Sequence, residues 1–134
     1  MKKILYFLVL TFVFIGCGEE CYNAPLPVVF EFVNSNNENL ITNGTLTNFT
    51  IQEENQGNIS VSITDENKVV LNDVGLYNGT KNYIFNSSIK TFKFSIESSE
   101  FKGGCDGFQI NKLTFTGYAI DVTDQNGYYK IEFQ

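Results

Sequence analysis

Apolar and polar residues alternate with a period of two through most of this chain. Val28 to Val33 is a β-rich run with Phe30 and Phe32 on one face. Phe49 and Ile51 oppose Asn48, Thr50 and Gln52. Ile59, Val61 and Ile63 alternate with Ser60, Ser62 and Thr64, and Phe92, Phe94 and Ile96 with Lys93, Ser95 and Glu97. Successive side chains of a strand point to opposite faces, so this pattern predicts half-buried strands. Lys68 to Leu71 and Tyr83 to Phe85 add two short apolar runs. Turn-forming residues separate the runs: Asn34 to Asn39, Thr42 to Thr45, Asp65 to Asn67, Gly75 with Asn78-Gly79, and Asp124 to Gly127.

Phe108 to Val122 is long for one strand, and its apolar parity changes twice. Phe108 and Ile110 are even, Leu113 and Phe115 odd, and Tyr118, Ile120 and Val122 even again. A one-residue slip flips the buried face. The parity therefore predicts a bulge or break near Asn111-Lys112 and a second at Gly117. No stretch has a helical period with caps. Seven to nine short strands point to an all-β fold, an antiparallel β-sandwich (Ig-like or transthyretin-like) over residues 28–134. An up-and-down β-barrel is the competing architecture.

The first residues follow a different rule. Lys2-Lys3 precedes an uncharged run from Ile4 to Ile15, then Gly16-Cys17. A basic start, a short apolar core and a small residue at the cut form the plan of a secretory signal. The run is too short to cross about 30 Å of hydrocarbon as a helix. Residues 1–16 are expected to be a signal peptide, and residues 17–27 a short lead-in in which Pro25 and Pro27 disfavour helix. With the signal removed, seven lysines stand against fifteen acidic residues, a net charge of −8 (seven minus fifteen). That charge argues against a nucleic-acid partner and against a polybasic membrane face.

The sequence contains no histidine. Ser-His and Cys-His catalysis and His-based zinc sites are thereby excluded within the chain. In an exported chain Cys21 and Cys105 are expected to pair, closing a loop of more than 80 residues; two separate buried thiols are the alternative.

Phe14-Ile15-Gly16-Cys17 resembles the lipobox of bacterial lipoproteins. The resemblance implies cleavage between Gly16 and Cys17 and lipidation of Cys17, which becomes the mature N-terminus. Two or more acyl chains make a stable anchor where one is marginal. Glu19-Glu20, directly after Cys17-Gly18, resembles the acidic export tag of Bacteroidota-type surface lipoproteins, and Gly18 is not the aspartate associated with inner-membrane retention; both imply the outer membrane, with its outer face as the candidate location. Val122 to Tyr129 resembles the hairpin of carboxypeptidase-regulatory-like sandwich modules, which supports a β-sandwich.

Candidate chemistry is sparse. Asp121, Asp124 and Asn126 could offer oxygen ligands to calcium, but Val122 and the lack of a glutamate twelve positions along break the EF-hand pattern; a self-capped turn is the plainer reading. Glu53/Glu54 and Asp65/Glu66 are adjacent pairs, and adjacent strand residues face opposite ways, so neither pair can flank one glycosidic bond. Tyr77, Tyr83, Tyr118, Tyr128 and Tyr129 are candidates for an aromatic recognition platform, or for positions flanking the core. The glycine-dense Gly103 to Gly107 lacks the lysine of a phosphate loop and suits a sharp turn around a cystine. The expectation is a lipid-anchored accessory with a binding or structural role, no catalysis and no cofactor. Its partners would be the membrane and a neighbouring envelope protein or glycan. A glycan- or protein-recognition module and a small hydrolase or hydrolase inhibitor are the alternatives.

Overall fold

The computed structural model describes residues 21–134. The expected signal peptide over residues 1–16, the expected cleavage between Gly16 and Cys17 and the expected lipidation of Cys17 all fall outside the described residues. Among the described residues the alternation resolves into ten strands: β1 (Tyr22–Asn23), β2 (Val28–Asn34), β3 (Phe49–Glu53), β4 (Val61–Ile63), β5 (Val69–Leu71), β6 (Gly79–Ser87), β7 (Thr91–Gly103), β8 (Cys105–Thr116), β9 (Ile120–Asp124) and β10 (Tyr129–Phe133). They form two five-stranded sheets, ordered β1-β8-β7-β6-β3 and β4-β5-β2-β10-β9.

The all-β fold agrees with the sequence reading, with two refinements. The pairing is mixed, because β1 runs parallel to β8 and β10 parallel to β2. The strand count exceeds nine because Tyr22–Asn23, read as part of a lead-in, joins the first sheet. Strand β2 lies between β5 and β10 instead of beside its chain neighbour β3, so the order is not the nearest-neighbour cycle of an up-and-down barrel.

Both parity shifts have structural counterparts. Across β7 and β8, Glu97 pairs with Lys112 but Ser98 pairs with Ile110, leaving Asn111 as the extra residue of a bulge. Ile110 and Leu113, on opposite parities, therefore both turn toward the core. The chain leaves the first sheet after Thr116 and enters the second at Ile120. Between them Ala119 adopts φ 54°, and its carbonyl accepts hydrogen bonds from Lys90 Nζ (3.0 Å) and the Gln134 amide (3.0 Å).

The sheets share one core rich in phenylalanine. Phe30 and Phe32 of β2 are fully buried. Phe30 meets Phe94 at 5.2 Å between ring centroids, and Phe32 meets Phe85 at 4.8 Å. These pairs join the second sheet to the first. Leu40 and Leu46, from the long β2–β3 connection, are buried in the same core. Their loop is shaped by asparagines: Asn34 Oδ1 accepts from the Asn36 and Glu38 amides, and Asn39 Oδ1 from the Ile41 and Thr42 amides. Ile63 was expected to be half-buried, but it ends the three-residue edge strand β4 and is 51% exposed.

Phe32→Ala is predicted to destabilise the protein by about 3–5 kcal/mol, because it opens a cavity between aromatic neighbours of both sheets. Urea unfolding would show a lower midpoint at unchanged slope. The exposed control Lys112→Ala should stay within about 0.5 kcal/mol of the parent.

Candidate functional site

Strands β7 and β8 outrun their sheet. Strand β6 begins at Gly79, opposite Ser98, so Ser99 to Gly103 and Cys105 to Gln109 project past it as a two-stranded arm. Pairing continues to the tip through Glu100–Phe108, Phe101–Gly107, Lys102–Asp106 and Gly103–Cys105. Gly104 makes the reversal at φ 86°, a conformation open to glycine at little cost.

A two-stranded ribbon is marginal in water by itself. Three features hold this one. Asn78, just ahead of β6, acts as a side-chain extension of that strand: its Oδ1 accepts from the Glu100 amide at 2.7 Å and its Nδ2 donates to Glu100 Oε1 at 3.1 Å. At the bulge, Asn111 Nδ2 donates to Ser99 Oγ at 3.0 Å. At the tip, β1 adds a third strand, with Tyr22 beside Asp106 and Asn23 beside Gly107, and Cys21 is bonded to Cys105. A Cβ on Gly107 would lie 1.9 Å from the Asn23 carbonyl oxygen, so only glycine admits β1 this closely. The pairing of Cys21 with Cys105 was expected from the sequence. The extension of β7 and β8 past the start of β6, which carries that bond, was not.

The tip carries a cleft of about 580 Å³, lined by Tyr22, Glu100, Phe101, Lys102, Asp106 and Phe108 among others. Lys102, Asp106 and Tyr22 occupy one row across β7, β8 and β1, and Glu100 with Phe108 forms the next row. Directly opposed residues have Cβ atoms about 4.5–5.5 Å apart, so these side chains are immediate neighbours. Lys102 Nζ lies 3.5 Å from Glu100 Oε2 in a solvent-exposed pair. One ammonium, two carboxylates and the rings of Tyr22 and Phe108 thus share one face of the ribbon, while Phe101, on the alternate row, turns its ring to the other face beside Gly103. None of Tyr22, Phe101, Lys102, Phe108 and Asn78 was singled out from sequence. The available signal was the glycine-dense stretch following a long alternating run.

The other candidates disperse. Glu53 pairs with Lys81 at 2.8 Å, while Glu54 pairs with Lys93 at 3.1 Å and accepts from Asn82. The Lys93 hydrogen bond, aided by Asn82, holds the Glu54 carboxyl below its usual range. Glu66 is lowered likewise by its hydrogen bond to Lys68, which in turn raises Lys68. Asp124 caps the Asn126 amide in the β9–β10 turn, and Asp121 accepts from Gln134. Among the described residues no group of three or more carboxylates or thiols could hold a metal ion.

The tyrosines do not form a platform. Tyr83 is buried and stacked on Phe94, Tyr77 hydrogen-bonds the Ile96 carbonyl, and Tyr129 packs on Phe30 and Phe115. Tyr128 lies under the Lys68 ammonium, 4.2 Å from its ring centre. Tyr118 alone of the five is freely exposed, at 92%. No family model, curated protein or solved structure matches this chain.

Two outcomes are expected here. Replacing Cys21 and Cys105 together by serine should cost about 4 kcal/mol, through an 84-residue loop left open in the unfolded chain. Denaturation with and without reductant would show the parent falling to the level of the variant. The second concerns pH. Burial first, then the hydrogen bond with Tyr77, pushes the Tyr83 phenol far above its usual value near 10, and burial and Asp124 raise Tyr129. A raised tyrosine favours the folded state at and below the unfolded value, and that stability declines as pH rises above about 10. Alkaline unfolding should therefore set in above that pH. Tyr83→Phe should move its midpoint upward in a circular-dichroism titration.

Proposed function

We propose that this protein is a lipid-anchored component of the bacterial outer membrane that acts without catalysis, as a binding or structural accessory in or near the membrane plane. The observation that carries the reading is the bond from Cys21 to Cys105 at the arm tip. Only Gly18, Glu19 and Glu20 separate Cys21 from the lipobox cysteine Cys17. Fully extended, that step spans at most about 14 Å. A lipid on Cys17 would therefore act on the arm tip with no long stalk between. The net charge of −8 offers no polybasic attraction to an anionic bilayer, so attachment falls to the acyl chains. Glu19 and Glu20 favour the outer face through their likeness to an export tag.

An exposed aromatic side chain at the tip fits a short leash. Tyr22, next to Cys21, is 57% exposed and lines the tip cleft. Tyrosine with an apolar body and a polar tip suits the boundary between headgroups and water.

Membrane fractionation combined with mass spectrometry of the N-terminus tests the anchor. The parent should sediment with membranes and carry acyl mass on Cys17, whereas Cys17→Ser should leave the membrane fraction. A Cys17→Ser protein that stays membrane-bound, with no acyl mass on the parent, would contradict the proposal.

A further inference from the structure

We infer that the cleft at the arm tip binds a zwitterionic phospholipid headgroup of the phosphoethanolamine type. This rests on the lipid-anchor reading and goes beyond it, by giving the membrane-proximal end a specific ligand. Two independent features lead there. The first is position. The cleft is lined by Tyr22, next to the disulfide-bonded Cys21, so a leash of about 14 Å from Cys17 confines it to the headgroup layer. A short tether raises the local ligand concentration to about the millimolar range or above, so a weak site is enough.

The second feature is the chemistry of the lining. Glu100 and Asp106 offer two carboxylates, and Lys102 stands directly opposite Asp106. A primary ammonium can donate hydrogen bonds to both carboxylates and also rest against the faces of Tyr22 or Phe108. The phosphate takes the Lys102 ammonium. The Lys102–Glu100 pair is 3.5 Å long and exposed, so it yields to a ligand at little cost. Tyr22, in the same row as Lys102 and Asp106, then meets the glycerol and the first methylenes. With two carboxylates against one ammonium, the site has a residual charge of −1. It therefore discriminates against lipids that carry only negative charge. A quaternary ammonium has no N–H to give the carboxylates, so choline lipids bind less well.

The test uses the full-length acylated protein in neutral detergent, with backbone amide shifts as the readout. Dihexanoyl phosphatidylethanolamine should give saturable shifts centred on Tyr22 and on Glu100 to Phe108. Dihexanoyl phosphatidylglycerol should bind at least about tenfold more weakly, the loss expected when a charge-assisted contact is replaced by a repulsion. Lys102→Ala and Asp106→Asn, both exposed positions, should each weaken phosphatidylethanolamine about tenfold with the circular-dichroism spectrum unchanged. Absence of saturable shifts, equal binding of the two lipids, or shifts centred elsewhere would overturn the inference. So would O-phosphoethanolamine binding as tightly as the lipid, which would assign the cleft to a free headgroup. Acyl mass on Cys17 without phosphatidylethanolamine binding would defeat the cleft assignment alone. Binding by a protein that carries no acyl mass would defeat the anchor alone.

Discussion

The covalent bond between Cys21 and Cys105 holds the arm end of this protein together. It joins residues 84 apart in sequence and fixes the start of the described chain to the tip of the β7–β8 arm. Strand β1 is two residues long and could not hold its parallel pairing with β8 unaided. Gly107 permits the close approach, the disulfide makes it persistent, and Asn78 braces the arm where β6 no longer reaches. The result is a projecting three-stranded edge whose orientation follows that of the sandwich.

The phenylalanine core gives the arm its rigid base. Phe92, Phe94 and Ile96 of β7 are buried against the second sheet, and the same strand runs on uninterrupted into Glu100 and Lys102 at the tip. From Cys105 to Thr116, β8 spans about 35 Å, and it leads from the arm tip to the end of the sandwich where Tyr118 stands exposed. The two ends differ in character. One carries the disulfide, the cleft and strand β1. The other carries the Ala119 turn held by Lys90 and Gln134.

Much of the local structure could be read from the residues, because the period of two is a direct consequence of the pleat. The shift of parity between Ile110 and Leu113 located the Asn111 bulge, and Gly117 marked the crossing between sheets. The cystine was legible because Cys21 and Cys105 were the pair left once Cys17 was assigned to the expected lipid. Tertiary pairing was not legible. Nothing in the alternation of Tyr129, Ile131 and Phe133 tells that they lie parallel to Phe30, Phe32 and Asn34. The fate of the tyrosines also escaped a local reading, since Tyr77 and Tyr83 go inward because they hydrogen-bond Ile96 and each other. The cleft was hidden for a similar reason. Tyr22, Lys102 and Asp106 are neighbours only because β1 docks in parallel on a hairpin more than 80 residues away.

We propose that the arm tip is the end of the molecule held at the bilayer. The most direct measurement is paramagnetic line broadening of backbone amides in the acylated full-length protein, embedded in nanodiscs whose lipids carry a headgroup spin label. The strongest broadening is expected at Lys102 to Asp106, with little at Tyr118. Broadening strongest at Tyr118, or uniform along β8, would contradict it.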